Sequence, residues 1–322
     1  MRFARALASL AVVFVAVDAN AQSAAGPQWV TLGTQGGPNV RHSTAQISNA
    51  LVVDDDIYLF DLGSGVLRQM EGAGLGIANV RAAFITHHHR DHTADTGAVL
   101  FEHGARKADG TPPLTLVGPA GTMAFSDALL AAQSARVTAS DETPRTPVSS
   151  LVESRDLPDE LDEPTIVYQD ENITVSAVNV DHFFLPAERT SKNEPRAVAY
   201  RAEIDGSAFV YSGDTGAMTP ALESLSQGAD VLICEVFLIS LPEGVPRSHV
   251  GPEHIAAIAD AADVGSVVLT HYLPAPPWNA SVVGNALDLM RPIYQGQVTA
   301  ARDLDRFDAQ GNRLGTTESE GQ

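Results

Sequence analysis

Residues 86–93 read T-H-H-H-R-D-H-T and hold four of the chain's ten histidines within six positions. The segment follows the apolar run A-A-F-I, so it sits where a strand ends and the chain turns. Residues two apart in extended backbone point the same way, so His87 and His89 can converge on one point. After the turn, Asp91 and His92 can converge on a second point beside it. Imidazole nitrogens and carboxylate oxygens are donors that zinc accepts. One loop cannot close two such sites, so the fold must deliver further donors to the same edge.

Three later residues repeat one arrangement, an apolar strand followed by a metal-type donor. His182 follows I-T-V-S-A-V-N-V-D, Asp214 follows F-V-Y-S-G, and His271 follows S-V-V-L-T. Strands are predicted over 57–61, 81–86, 114–117, 173–180, 197–204, 208–212, 231–236, 267–271 and 298–303. Helices are predicted over 121–132, 252–262 and 286–294. The second has Gly251 as a cap, Pro252 at its first position and an apolar stripe of Ile255, Ile258, Ala259 and Ala262. Strands interleaved with few helices indicate an α/β layered body. Residues 139–164, rich in Pro, Ser, Asp and Glu, read as a mobile acidic insertion. Residues 310–322 read as a disordered tail.

The length of 322 residues suits one large domain or two small ones, and 44% apolar residues suffice for a sizeable core. The start reads as a cleavable export signal over residues 1–21. Arg2 and Arg5 precede an apolar run over 7–17, and Ala19-Asn20-Ala21 gives the small-x-small cleavage pattern. That run falls short of the roughly 20 residues that span a membrane. A periplasmic or secreted protein, with its fold over 22–309 and no stable membrane insertion, is therefore expected. Cys234 is the only cysteine, so no internal disulfide exists, and V-L-I-C-E-V-F places it in the core. The formal charge is −20. Such a field repels nucleic acid, which needs a basic footprint. The expected partner is a small-molecule ester and not a nucleic acid; a homodimer is allowed.

The histidine loop and its three later partners resemble the metallo-β-lactamase fold superfamily. The match runs from T-L-G-T-Q-G-G-P at residue 31 to A-R-D-L at residue 301. The resemblance implies the four-layer αβ/βα sandwich with two zinc ions at one edge, manganese or iron being compatible with the same donors. His87, His89 and His182 would hold one ion, and Asp91, His92 and His271 the other. Asp214 would bridge both together with a hydroxide. Asp61, in F-D-L-G-S-G, would stand behind the ligands and orient an imidazole by accepting its N–H.

Zinc β-lactamases resemble the first loop but lack an Asp at the position of Asp214. The opening L-G-T-Q-G-G-P-N-V-R-H-S and the stretch C-E-V-F…S-H-V-G-P-E-H-I resemble the ribonuclease Z-like branch, which includes zinc phosphodiesterases and aryl- or alkylsulfatase-type enzymes. That resemblance makes His249 the proton donor to the leaving group, oriented by Glu235. Asp91, His249 and Glu235 are thus the candidate catalytic residues. Only 32 positions separate His182 from Asp214, leaving no room for that branch's tRNA-gripping arm. The expected enzyme is an exported dinuclear zinc hydrolase that cleaves phosphodiesters or sulfate esters with the bridging hydroxide. The alternatives are a lactonase on the same ligands, or a mononuclear iron dioxygenase of persulfides using His87, His89 and His182 alone. His254 reads as a surface residue, His42 and His103 stay unassigned, and His88 should point away from the metals.

Overall fold

The computed structural model describes residues 26–108, 110–140, 147–183, 196–217, 219–238, 248–273 and 280–315. The expected export signal, residues 141–146 of the expected insertion, most of the segment between His182 and the following strand, and residues 316–322 of the tail lie outside them.

The strands in chain order are β1 (Gln28–Gly33), β2 (Ser48–Val53), β3 (Asp56–Leu62), β4 (Val80–Phe84), β5 (Leu114–Gly118), β6 (Val152–Asp156), β7 (Thr165–Gln169), β8 (Thr174–Val180), β9 (Ala197–Ile204), β10 (Ser207–Tyr211), β11 (Val231–Phe237), β12 (Ser266–Leu273), β13 (Gln297–Ala300), β14 (Asp305–Phe307) and β15 (Arg313–Leu314). The helices are α1 (Val66–Gly72), α2 (Arg90–Thr93), α3 (Thr96–Arg106), α4 (Thr122–Ser140), α5 (Pro220–Ser226), α6 (Pro252–Ala261) and α7 (Ala280–Met290). One sheet runs β15-β14-β1-β2-β3-β4-β5-β6 and the other β13-β12-β11-β10-β9-β8-β7.

Both faces of the central strands are buried, which is why they read as nearly continuous apolar runs. In β4, Ala82 and Phe84 face inward to the layer between the sheets, while Val80 and Ala83 face outward beneath helices. In β12, Val268 faces inward and Val267 and Leu269 outward. The inner layer is aromatic: Trp29, Phe60, Phe84, Tyr200, Phe209 and Tyr211 pack there, with Phe60 5.0 Å from both Trp29 and Phe84 between ring centroids. The outer layers place Val66, Val99 and Leu100 on the first sheet, and Leu222, Ile255 and Met290 on the second. The result is helix, sheet, sheet, helix, the expected four-layer αβ/βα sandwich.

Strand direction positions the site. β3, β4, β5 and β6 run parallel, as do β10, β11, β12 and β13. β8 is antiparallel to β9, and β9 to β10, so β8 and β10 share a direction. Carboxyl ends of parallel strands gather along one edge, the customary ligand edge of α/β sheets.

The described residues of 139–164 are not a structureless insertion. α4 continues through Ser140, a 3-10 turn covers Val148–Ser150, and β6 pairs parallel with β5. Leu151, Leu157 and Leu161 are buried. β6 is an edge strand that carries part of the acidic and Ser-rich character, in Glu153, Ser154 and Asp156. The tail likewise stays ordered further than expected, because β15 pairs with β14. The strand expected over 298–303 stops at Ala300, where the Asp305 side chain accepts from the Arg302 N–H at 2.8 Å and closes a turn. Among the described residues, no helix is long and apolar enough to cross a membrane.

Candidate metal centre

All seven predicted donors meet at that edge, in two sets. In the first, His89 Nδ1 stands 2.9 Å from His87 Nε2 and 3.0 Å from His182 Nε2. Asp214 Oδ2 lies 3.8 Å from His87 Nε2 and 3.7 Å from His182 Nε2. In the second, His92 Nε2 stands 3.2 Å from His271 Nε2, and Asp91 Oδ2 is 3.7 Å and 3.4 Å from those two nitrogens. Asp214 Oδ1 lies 3.4 Å from His92 Nε2 and 3.3 Å from His271 Nε2. One carboxylate thus turns one oxygen to each set.

Two observations test whether metal fits. Ligands about 2.1 Å from a tetrahedral ion stand about 3.4 Å apart, and the spacings above bracket that value. The Nδ1 atoms of two rings are also already engaged on the side away from the cluster. His182 Nδ1 donates to the Ser248 carbonyl at 2.7 Å, and His92 Nδ1 faces Asp61 Oδ2 at 2.7 Å. The neutral form of each ring therefore turns its Nε2 lone pair to its neighbours, as a metal ligand must. Asp214 Oδ1 is buried without a hydrogen-bond partner. Nitrogens and carboxylate oxygens packed this closely need positive charge among them, from protons or from a cation, so the donor sets fit divalent metal.

The backbone aims these side chains by local irregularity. Asn49 pairs with Phe60 and Ser48 with Leu62, so Asp61 is the extra residue of a β-bulge, at φ 59°. Glu235 pairs with Thr270 and Val236 with Tyr272, so His271 is the extra residue of a second bulge, at φ 43°. Bulges re-aim side chains at sheet rims, and non-glycine residues in the left-handed region mark functional strain. Gly213, at φ 56°, precedes Asp214, and a Cβ there would lie 2.8 Å from the Thr86 side chain. Only glycine brings this turn so close.

Asp61 is fully buried and takes four contacts. Oδ1 accepts from the Thr86 N–H at 2.8 Å; Oδ2 accepts from Thr86 Oγ1 at 2.8 Å and Tyr211 Oη at 2.8 Å, and faces His92 Nδ1. Thr86 and Tyr211 escaped the sequence reading. The only signal for Thr86 was its place immediately before the first histidine.

The glycine-rich opening is also part of the site. Gly37 N–H donates to Asp91 Oδ2 at 2.7 Å, and a Cβ on Gly36 would lie 2.7 Å from the His271 ring. Asp303, absent from the predicted site, holds both ends of this loop. It accepts from Thr34 N–H at 2.9 Å and from Ala45 N–H at 2.7 Å.

Electrostatics separates the two sets. Burial, joined by neighbouring imidazoles, pulls His87 well below the usual histidine range, and burial also lowers His89 and His182. Burial works the same way on His92 and His271, but Asp214 and other carboxylate contacts overcome it. They raise His92 strongly and His271 to about 10. Asp91 and Asp214 are correspondingly held below the usual carboxylate range, against their burial, by the facing histidines. Positive charge is favoured where His92 and His271 meet these carboxylates, and a bound cation would supply it in place of protons.

His249 stands beside the sets. Its Nδ1 is 2.5 Å from Glu235 Oε2 and 3.8 Å from Asp214 Oδ2, and its ring stacks on Phe237 at 6.0 Å. Glu235 Oε1 accepts from the Thr215 N–H at 2.5 Å, which fixes the carboxylate. Burial lowers the His249 pKa, but Glu235 more than offsets it, so the net shift is upward. A cleft of about 370 Å³ opens onto these groups, lined by Gly37, Pro38, His89, Arg90, Asp91, Asp214, His249, His271 and Leu273.

The other histidines lie apart. His88 turns to Thr122 Oγ1 at 3.2 Å and to Phe125, away from the donor sets. His254 and His42 are exposed. His103 is buried on α3.

Residues 58–272 match the family described as beta-lactamase superfamily domain. Ribonuclease Z of Mycobacterium marinum is 28% identical over 298 residues, covering 87% of this chain and 98% of that protein. Ribonuclease Z of Mycolicibacterium gilvum is 30% identical over 260 residues, covering 76% and 84%. Among solved structures, the metallo-beta-lactamase fold protein YhfI from Bacillus subtilis superposes with a TM-score of 0.65 at 20% identity, covering 88% of this chain and 99% of that one. The short form of human tRNase Z gives 0.63 at 18% identity, covering 88% and 99%. At those identities the structures speak for the fold alone.

These relatives correct one expectation. A small-molecule ester and the exclusion of nucleic acid do not stand beside curated relatives named for cleaving RNA. The reasoning failed because net charge is a global quantity. Screening confines exposed charges to about 8 Å at physiological ionic strength, and at a metal site the ions dominate locally. By its matched domain, its relatives and its two sheets, the chain belongs to the beta-lactamase superfamily, as a metallo-β-lactamase-fold hydrolase of the ribonuclease Z-like branch.

Proposed function

We propose that this chain is an exported phosphodiesterase that uses two zinc ions to cleave a phosphodiester of the RNA type. The observation that carries the reading is Asp214, whose two oxygens face two separate three-residue donor sets. His87, His89 and His182 would hold one ion, Asp91, His92 and His271 the other, with Asp214 shared. Such a pair supplies an activated water near neutral pH and offsets the charge that develops on the phosphate.

The chain's own residues do the rest. Asp61 fixes the His92 ring so that Nε2 faces inward. Ser248 does the same for His182. His249, whose pKa Glu235 raises against its burial, would give a proton to the departing oxygen. Glu235, against Nδ1, orients the ring and favours its protonated form until that transfer. Support for an RNA-type phosphodiester comes from the relatives named ribonuclease Z.

The test is metal analysis of the purified chain together with a substrate panel: an oligoribonucleotide, bis(p-nitrophenyl) phosphate, an aryl sulfate, a lactone, and a persulfide with oxygen uptake. The reading expects two zinc ions per chain and phosphodiester cleavage. A single iron with oxygen consumption, or activity confined to the sulfate or the lactone, overturns it. For export, the basic start and apolar run of residues 1–21 are the support. Cell fractionation tests this, and a full-length chain in the cytoplasm would refute it.

A further inference from the structure

Among the described residues lining the cleft over the donor sets, Arg90 is the one permanent cation. Arg90 is the first residue of α2, between His89 of one donor set and Asp91 of the other. It lines the cleft with Pro38 on the facing loop, and its Nη2 donates to the Pro38 carbonyl at 3.1 Å. That bond leans the guanidinium across the mouth and engages one of five N–H donors. Six of the twelve other described arginines are committed to carboxylates. In a chain with 40 acidic and 20 basic residues, Arg81, Arg106, Arg155, Arg201, Arg291 and Arg313 each pair with a carboxylate. Among the described residues Arg90 has no carboxylate within reach. An exposed guanidinium left unpaired by so acidic a surface, and held at the mouth of the cleft, is available to an anion from outside the chain.

We propose that Arg90 binds the phosphate next to the scissile one on an oligonucleotide substrate, and so selects a polymer over an isolated diester. This rests on the phosphodiesterase reading above. Consecutive phosphates of a nucleic-acid strand lie several ångströms apart, so a strand with one phosphate over the donor sets brings the next towards the rim. A guanidinium suits that contact, because its planar fork matches two phosphate oxygens. It also explains how a chain of net charge −20 can hold a polyanion: one fixed cation and the metal pair act at short range, where the global field is screened.

The experiment compares zinc-loaded wild type with Arg90→Gln and Arg90→Lys on a labelled oligoribonucleotide and on bis(p-nitrophenyl) phosphate, which has no second phosphate. For Arg90→Gln, the ratio of kcat/KM for the oligonucleotide to that for the diester should fall about tenfold, with the change in KM. The slope of log affinity against log salt should lose about one charge, and Arg90→Lys should restore the slope more fully than the ratio. Equal losses on both substrates, or loss of zinc, would make Arg90 a brace for the Pro38 loop and overturn the proposal. So would an unchanged ratio. If wild type cleaves neither substrate, the phosphodiesterase reading fails. Fluorescence anisotropy of the labelled oligonucleotide on zinc-loaded protein then decides Arg90 separately: binding about tenfold weaker in Arg90→Gln supports the contact, and equal binding refutes it.

Discussion

Asp61 and His92 come from different elements, β3 and α2, yet Asp61 Oδ2 lies 2.7 Å from His92 Nδ1 in a fully buried setting. The same carboxylate also accepts from Thr86 and Tyr211, so it ties the histidine loop to both sheets. Asp61→Ala would leave several buried donors unpaired. The expected cost is about 3–5 kcal/mol of stability, with zinc affinity lower by about 10- to 100-fold. Urea denaturation and chelator competition measure the two. A variant with unchanged zinc affinity would make Asp61 a purely structural residue.

Gly36 lies so close to His271 that a methyl group would meet the ring at 2.7 Å and Leu273 at 2.9 Å. Gly36→Ala should tilt His271 away from His92 and weaken metal binding by the Asp91, His92 and His271 set. The expected product retains one zinc ion per chain at a chelator concentration where wild type retains two. Equal retention in the two proteins would show that the ring gives way without losing its aim.

His249 touches neither donor set as a ligand in the proposed assignment. His249→Ala should keep its zinc and lose about 10²–10⁴-fold in rate on esters with poor leaving groups. With a p-nitrophenolate leaving group, which departs without a proton, the loss should be much smaller. A plot of log rate against leaving-group pKa should steepen in the variant. Parallel plots would assign the proton to another group.

His103 offers a pH-dependent prediction remote from the metal centre. Burial holds its pKa down at about 4, below the ordinary value of 6.5. The fold therefore keeps the ring neutral, while the unfolded chain takes up a proton as pH falls through 6.5. Its contribution is fully present above that value and is lost as pH falls from about 6.5 to about 4. His103→Leu should flatten this part of the profile. Calorimetric Tm values between pH 7 and pH 4.5 for the two proteins test it, and parallel curves would remove His103 from the account.

Most of the fold's interior was legible because strands buried on both faces carry unbroken apolar runs, as in V-L-I-C-E-V-F. The donors could be read because each follows such a run, where parallel strands end. Other elements were missed: β1 and β2, although buried inside the first sheet, drew no prediction, and polar or broken patterns hid more. β6, V-E-S-R-D, is an edge strand without an apolar face to announce it, and α3 carries two glycines that mask its helical period. The support network of Asp61, Thr86 and Tyr211 joins residues 25 and 150 positions apart, and no local pattern encodes such a meeting. The exclusion of nucleic acid failed for the opposite reason: it used a property of the whole surface to judge a few side chains at a cleft.

Each donor set takes members from both halves of the sandwich. His87, His89, Asp91 and His92 lie beyond β4 of the first sheet, whereas His182, Asp214 and His271 belong to the second. A cation seated in either set therefore acts as a rivet between two separately hydrogen-bonded slabs. Removing both ions should loosen that seam first, leaving amide protons deep in each slab protected while those at the rim exchange. The chemistry and the cohesion of this enzyme would then draw on the same two atoms.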